Sequence, residues 1–352
     1  MSFRKFPAKA DRQNRSTEPQ FRPMKILLVV PGKLKTVPMS GFSAAALRAL
    51  GHEVRVEDYY PTLAEKAGKR LAPLWRDTEF WGPVNRRLRR AIDEFRPDLL
   101  FTIYGLHISQ QTLTFARERG TLRACWWIND PFQAQPVFDR AAEYDVYFSN
   151  SSVCARQVED ALGVRSHFLP TACAPTIHHA SPPDPASACD VCFAGDWSPA
   201  RQQLIEMLVK AGLNLRLYGP WQKKIASDSP LRALLTPGFF APEQMSIYFS
   251  SARIVLNFHT WFGRFSHGVN PRLFEAPACG AFQIVDFKDE IPSLFEVGKE
   301  IAIYRDLDSL PGLLREWLAD REACEALAQA GHRRVLQDHT YERRMAQMLK
   351  LL

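Results

Sequence analysis

The chain alternates between short apolar segments and amphipathic segments, and this alternation runs twice. The first run opens with the apolar stretch Ile26–Val30 and continues to about residue 151. The second run opens at Cys189 and ends in helical segments that reach residue 352. Regular alternation of strand and helix predicts a parallel β-sheet with helices on both faces. We therefore predict an α/β fold made of two doubly wound, Rossmann-like halves that face each other across a cleft.

Breaks in the alternation predict the domain boundaries. Residues 1–23 are polar, basic and without periodicity, which predicts a disordered tail. Residues 24–168 form the predicted N-terminal domain. Residues 169–188 are rich in proline, alanine and serine and form the predicted linker. Residues 189–340 form the predicted C-terminal domain, and residues 341–352 a final helix.

Charge and cysteine content narrow the class of protein. The formal net charge of +7 suits nucleic acid, an anionic membrane surface or an anionic substrate. We expect no nucleic-acid binding, because the chain lacks the interleaved aromatic and basic strands of such modules. It also lacks an apolar run long enough to cross a membrane and the apolar core of a signal peptide. Seven cysteines in a large chain favour a reducing compartment, so we predict a cytoplasmic protein.

Two predicted helices each carry an arginine in the first turn, where the helix macrodipole disfavours a cation. In one, Asn270 is the predicted N-cap, Pro271 the first helical residue and Arg272 the cation. Residues 198–201 repeat this order and end with Arg201. Both helices follow strands, and ligands bind beyond the carboxyl ends of strands in such sheets. A helix N-terminus with an arginine suits a phosphate, and two suit a diphosphate; the alternative is a pair of exposed arginines.

Glu275 lies three residues after Arg272, on the same face of the predicted helix. It either forms an ion pair with Arg272 or accepts hydrogen bonds from ribose or sugar hydroxyls. Gly280 closes this helix as a C-cap residue, which is a structural role.

The segment NPRLFEAPACGAFQIVD, residues 270–286, resembles the signature of the group 1 glycosyltransferases of GT-B fold. More narrowly, its Asn-x-Arg-x-Phe-Glu order resembles the spore-maturation-protein-like branch. FAGDWSPAR, residues 193–201, resembles the strand-glycine-arginine element of that branch, and residues 340–352 resemble the helix that crosses back to the first domain. The resemblance implies a donor site formed by Gly195, Arg201, Asn270, Arg272 and Glu275.

The resemblance also bears on three candidate catalytic residues. His267 stands where retaining members carry the first of two glutamates, so that mechanism does not carry over directly. It either contacts the transferred sugar or the phosphate, or is a loop histidine without a role in the reaction. His107 follows a predicted strand and is either a sugar-contacting histidine or an ordinary neighbour of the N-cap Ser109. Asn129 and Asp130 end another strand, where they either bind acceptor hydroxyls, with Asp130 as the base of an inverting reaction, or form an Asn-Asp-Pro turn.

Other motifs point away from metal and cofactor chemistry. Cys189 and Cys192 form a Cys-x-x-Cys, but on a strand these side chains are expected to face opposite sides. Asp306 and Asp308 form an Asp-x-Asp that we interpret as a polar loop. The chain has neither a Walker A loop nor a Gly-x-Gly-x-x-Gly. We therefore predict no metal and no cofactor.

A basic helix near residues 80–95 carries Arg86, Arg87, Arg89 and Arg90. Such a helix is typical of a contact with an anionic membrane surface, and the alternative is a solvated charged face.

The resemblance, together with these patterns, predicts a metal-independent glycosyltransferase whose N-terminal domain, residues 24–168, lies on the acceptor side. Its donor is a nucleoside-diphosphate sugar, and its acceptor is a glycan, a lipid-linked molecule or a protein. The alternative is a nucleotide-sugar or carbohydrate-binding protein without turnover, which the histidine at position 267 favours.

Overall fold

The computed structural model describes residues 22–31, 39–59, 82–105, 108–138, 140–236 and 241–352. Within these ranges the chain forms two six-stranded sheets in which all neighbouring strands are parallel. The predicted α/β class with two doubly wound halves is confirmed. No helix in the described part of the chain combines the length and apolar composition needed to cross a bilayer.

The first sheet has the strand order β2-β1-β3-β4-β5-β6. Its strands are β1 Lys25–Val30, β2 Glu53–Asp58, β3 Leu99–Ile103, β4 Leu122–Trp127, β5 Val146–Ser149 and β6 Arg165–Phe168. The helices of this half are α1 Met39–Ala49, α2 Gly82–Phe95, α3 Gln110–Arg117, α4 Gln135–Phe138 and α5 Ser152–Leu162.

The second sheet has the strand order β12-β11-β10-β7-β8-β9. Its strands are β7 Cys189–Ala194, β8 Leu215–Tyr218, β9 Leu235–Thr236, β10 Ala252–Asn257, β11 Gln283–Asp286 and β12 Ala302–Tyr304. The helices that follow are α6 Pro199–Lys210, α7 Pro242–Ser250, α8 Arg272–Ala278, α9 Ile291–Leu294, α10 Leu310–Ala319, α11 Arg321–Asp338 and α12 Tyr341–Lys350.

The central strands of both sheets are apolar on both faces because helices cover both sides. Neighbouring residues on β4 show this: Trp126 packs in one core cluster and Trp127 in the cluster on the opposite face. Helix α12 leaves the second half and packs against α1 and the first sheet, where it buries Tyr341, Met345 and Met348.

The alternation of side chains fails at the start of β7. The N–H groups of Asp190 and Val191 both donate to the carbonyl oxygen of Asn214, at 3.1 and 3.0 Å. Cys189 and Cys192 lie in the same buried cluster, against the prediction that they face opposite sides. The described residues hold no group of three or more His, Cys, Asp or Glu arranged for a metal ion.

A buried carboxylate joins the two halves. Glu290 accepts hydrogen bonds from the backbone N–H and hydroxyl of Ser152, both at 2.9 Å, and from the N–H of Gly268 at 2.8 Å. Ser152 opens α5, so the carboxylate also lies at the positive end of that helix dipole. Gly268 packs directly on Pro131 of the first half, where a Cβ would come within 2.6 Å of the proline ring. The halves are thus held in contact along one edge of the cleft.

Candidate functional site

A cleft of about 600 Å³ lies between the carboxyl edges of the two sheets. On the side of the second half, the strand order reverses between β7 and β10, the position where doubly wound sheets bind ligands. The segments after these two strands supply this wall of the cleft, with Gly195, Ser198, Arg201, Asn270 and Arg272. The two predicted arginine-bearing helix starts therefore meet at one site.

Arg201 presents a positive charge that no carboxylate takes up. Its Nη1 and Nη2 donate to the carbonyl oxygens of Asp196 and Phe258, each at 2.9 Å, and its Nε has no hydrogen-bond partner among the residues that the structure describes. No carboxylate in the described part of the chain lies within 4 Å of the guanidinium. Burial lowers the pKa of Arg201 to about 10; the charge of Asp196 opposes this and that of Arg272 adds to it. Two neighbouring guanidinium groups thus favour an anion in the cleft.

Ser198 caps α6 as predicted. Its side chain accepts a hydrogen bond from the N–H of Arg201, and Pro199 is the first helical residue. The twelve-residue helix α6 consequently begins at the cleft, with its positive end turned toward the two arginines.

Arg272 and Glu275 form the ion pair that was one of the two interpretations of this spacing. The Glu275 side chain is only 2 % exposed, against 15 % for Arg272, and it is not among the residues that line the cleft. Arg272 also donates from Nε to the carbonyl oxygen of Ala194, at 3.3 Å. Arg272 therefore reaches the cleft, whereas the Glu275 carboxylate lies behind it.

A buried histidine, His178, lies beside the Arg272–Glu275 ion pair. Nδ1 of His178 accepts the N–H of Ala174 at 3.0 Å, so Nε2 carries the proton of the neutral ring. Nε2 points toward Glu275, whose Oε1 lies 3.9 Å away. Burial lowers the pKa of His178, and the charge of Glu275 opposes that shift only in part. His178 lies in the predicted linker, so this segment contacts the carboxylate that neutralises Arg272.

Asn270 is held by polar groups that the sequence analysis did not connect. Its side-chain amide pairs with that of Asn257, at 2.7 and 3.1 Å, and its Oδ1 accepts the N–H of Leu273. Its own N–H donates to Nε2 of His259 at 3.1 Å. Helix α8 begins at Arg272, one residue later than predicted, although Asn270 still satisfies a first-turn donor.

His259 is in turn fixed by Asp286 at the end of β11. Oδ1 of Asp286 accepts from the backbone N–H and from Nδ1 of His259, at 2.8 and 2.7 Å. Burial alone would raise the pKa of Asp286, but His259 and Lys288 outweigh it and hold this pKa below its usual range. Sequence reasoning missed this buried group, and its one signal was that polar residues end two neighbouring strands.

Two glycines fix the loop after β7. Nε1 of Trp221 donates to the carbonyl oxygen of Gly195 at 2.8 Å. The backbone of Gly219 approaches so closely that a Cβ there would lie 2.2 Å from the same oxygen. The turn that presents Arg201 is therefore built against the turn after β8.

Of the predicted catalytic residues, neither Asp130 nor His267 lines the cleft. His107 lies outside the described residues. Asp130 is fully buried, where its Oδ2 accepts from the hydroxyls of Tyr147 and Ser149 at 2.7 and 2.5 Å. Burial raises the pKa of Asp130 to about 6, and these hydrogen bonds reduce the shift. His267 points at Ser151, with Nδ1 at 2.7 Å from its hydroxyl oxygen. The catalytic roles of all three stay predictions.

The four arginines of the basic helix α2 differ in their contacts. Arg87 donates to the backbone carbonyl of Asp58 and Arg89 to the hydroxyl of Thr112, so both are tied to the first half. Arg86 and Arg90 are the exposed members of the four.

Comparisons with known proteins agree with this architecture. A family model described as glycosyl transferase-like matches residues 201–350. Sucrose-phosphate synthase from Thermosynechococcus elongatus superposes with a TM-score of 0.65 at 12 % identity, covering 94 % of this chain and 98 % of that one. Anabaena HepE, solved in complex with UDP-glucose, superposes with a TM-score of 0.65 at 14 % identity, covering 94 % and 100 %. The chain has the GT-B fold. A further GT-B structure, AviGT4, a glycosyltransferase involved in avilamycin A biosynthesis, superposes with a TM-score of 0.60 at 17 % identity, covering 94 % and 97 %. No sequence among the curated proteins is significantly similar to this one.

Proposed function

We propose that the protein is a glycosyltransferase that takes a sugar from a nucleoside diphosphate. The observation that carries the proposal is the convergence of Arg201 and Arg272 on one wall of the cleft, where none of the described carboxylates pairs with Arg201. The family match over residues 201–350 and the GT-B relative bound to UDP-glucose support a nucleotide sugar as the anion.

In this proposal the second half binds the donor and stabilises the leaving group. Negative charge grows on the diphosphate as the glycosidic bond breaks, so fixed cations lower the barrier. Arg201 is suited to this because two backbone carbonyls already hold its guanidinium in place. The start of α6 adds a dipole of the same sign. These groups supply the charge stabilisation that a metal ion supplies elsewhere, so metal independence is part of the proposal.

Nucleotide binding tests the proposal first. We expect thermal protection by at least one of UDP, GDP, TDP and ADP, at lower concentrations than by its monophosphate. A ligand at a hundred times its dissociation constant stabilises by roughly 2.7 kcal/mol, which a melting curve resolves. Arg201→Met should weaken the diphosphate roughly tenfold to a hundredfold, as expected for a charge-assisted hydrogen bond.

Arg315→Met is the matched control, because Arg315 also donates to a backbone carbonyl but lies on α10, away from the cleft. Equal protection by diphosphate and monophosphate, or equal affinity in both variants, would contradict the proposal.

A binding protein without turnover is the second candidate. It is favoured by the positions of Asp130 and His267, neither of which lines the cleft. Release of free sugar from the matching nucleotide sugar distinguishes the two, since a binder would protect the nucleotide sugar and leave it intact.

A further inference from the structure

The first-half wall of the cleft differs in chemistry from the wall that carries the arginines. Its described members are Met39, Ile128, Asn129, Phe132 and Gln133. None of these side chains is charged. Phe132 is 47 % exposed, which makes it one of the few large apolar side chains in the described ranges to face solvent so openly. An exposed aromatic ring beside a cleft is typical of a binding site.

The side-chain amides of Asn129 and Gln133, beside this ring, use part of their hydrogen-bonding capacity on each other. Nδ2 of Asn129 donates to Oε1 of Gln133 at 2.9 Å, and the hydroxyl of Tyr104 donates to the same oxygen. The Nε2 of Gln133 and the Oδ1 of Asn129 are left without a hydrogen-bond partner among the described residues. The wall thus offers one donor and one acceptor together, which is the complement of a hydroxyl group.

The backbone that positions these amides is strained. Tyr104 has a φ of +71°, in the left-handed region that bulky residues rarely adopt. Its ring stacks on Trp127 with centroids 4.5 Å apart, which holds it at the carboxyl end of β3. Residues kept in such conformations cluster at functional sites, where the surrounding structure compensates for the strain.

We infer that this wall binds a saccharide acceptor, with the face of one pyranose ring on Phe132 and one hydroxyl bridging Gln133 and Asn129. The inference rests on the proposed function and names the class of its acceptor. A sugar ring presents an apolar C–H face and hydroxyls that both donate and accept, which matches all three side chains. A phosphate-bearing acceptor would require cations on this wall, and the described ones lie on the opposite wall.

An acceptor screen tests the inference. The enzyme is given the nucleotide sugar identified above and, in separate reactions, methyl glycosides, disaccharides, a polyprenyl phosphate or a serine peptide as acceptor. We expect transfer to saccharides, with the acceptor KM raised roughly tenfold by Phe132→Ala, because a stacking surface is lost. Gln133→Glu keeps the oxygen that Tyr104 and Asn129 bind but replaces the free donor with an acceptor, so it should raise the same KM. Phe132→Ala changes no charge and should leave diphosphate affinity unchanged, and Leu336→Ala, which alters an exposed apolar residue on α11, should change neither the acceptor KM nor the diphosphate affinity.

The inference would be overturned, while the proposed function stands, by either of two results. One is sugar transfer only to the polyprenyl phosphate or to the peptide; the other is transfer to saccharides that neither variant affects. Thermal protection by the saccharides alone gives an independent readout. If no nucleotide binds but saccharides protect the wild type and not Phe132→Ala, the proposed function fails and this saccharide site stands without its catalytic role. If neither a nucleotide nor a saccharide protects the protein, both fail.

Discussion

Removing Arg272 should destabilise the protein, although the position of this residue in a helix predicts the reverse. A cation in the first turn opposes the helix dipole, so local reasoning expects Arg272→Ala to be neutral or slightly stabilising. The structure instead pairs Arg272 with Glu275, whose side chain is 2 % exposed. Without the guanidinium, no lysine or arginine in the described ranges pairs with the carboxylate, and the neutral ring of His178 lies 3.9 Å away.

The size of the effect follows from burial. Breaking a buried ion pair by removing one partner costs about 3–5 kcal/mol, because an uncompensated charge remains. Arg272 retains 15 % exposure, so we expect a cost near the lower end, about 3 kcal/mol. For a domain of this size that corresponds to a fall in melting temperature of roughly 6–12 °C. The same variant should weaken the nucleoside diphosphate roughly tenfold to a hundredfold.

Differential scanning calorimetry of four proteins tests this: wild type, Arg272→Ala, Glu275→Gln and the double variant. The double variant should be more stable than the sum of the single losses, because removing the guanidinium no longer leaves a buried anion. A melting temperature for Arg272→Ala within about 1 °C of wild type, with additive single effects, would refute the structural role. A large loss of stability with unchanged nucleotide affinity would instead assign Arg272 to the fold alone.

Three further predictions follow from buried and exposed charges. The pKa of Asp130 is raised to about 6, so the folded state loses stability as the pH rises from about 4 to 6. Melting curves at pH 4 and pH 7 should therefore show that the stability of Asp130→Asn relative to wild type is greater at pH 7 than at pH 4. Burial lowers the pKa of His339 to about 4, so the folded state loses stability as the pH falls below about 6.5. The free energy of unfolding of His339→Gln relative to wild type should therefore increase by about 2 kcal/mol between pH 7 and pH 5. The membrane hypothesis predicts co-sedimentation with anionic liposomes that is lost when the exposed Arg86 and Arg90 are replaced by glutamine, and sedimentation unchanged by that replacement would leave the solvated-face interpretation.

The fold was predictable because its signals are local. Burial on both faces makes strands such as Ile26–Val30 continuously apolar, and the Ser-Pro order at residues 198–199 marks a helix start whatever surrounds it. The same signals place Arg201 and Arg272 at the carboxyl edge of one sheet. Parallel topology then brings their segments together without further information.

The parts that were missed depend on contacts between distant segments. Asn270 is fixed by Asn257, on the preceding strand, and through His259 by Asp286, on the next strand of the sheet. Asp130 reads as an accessible turn residue, but two hydroxyls from β5 enclose it. Local periodicity gives the face of an element on which a residue lies and carries no information about which side chains close over it.

The ribosome makes the first sheet early and makes helix α12, which covers part of one face of that sheet, last. Strands β1 to β6 leave the ribosome first, yet the core cluster on one face of their sheet lacks its α12 side chains until residues 341–349 have emerged. At elongation rates of about 5–20 residues per second, the roughly 170 intervening residues take about 10–35 s to be added. Throughout that interval part of this apolar face in the nascent first half is without its final cover and can be bound by a chaperone, while the second half can already close its own core. The half that is translated first is therefore the half that finishes folding last.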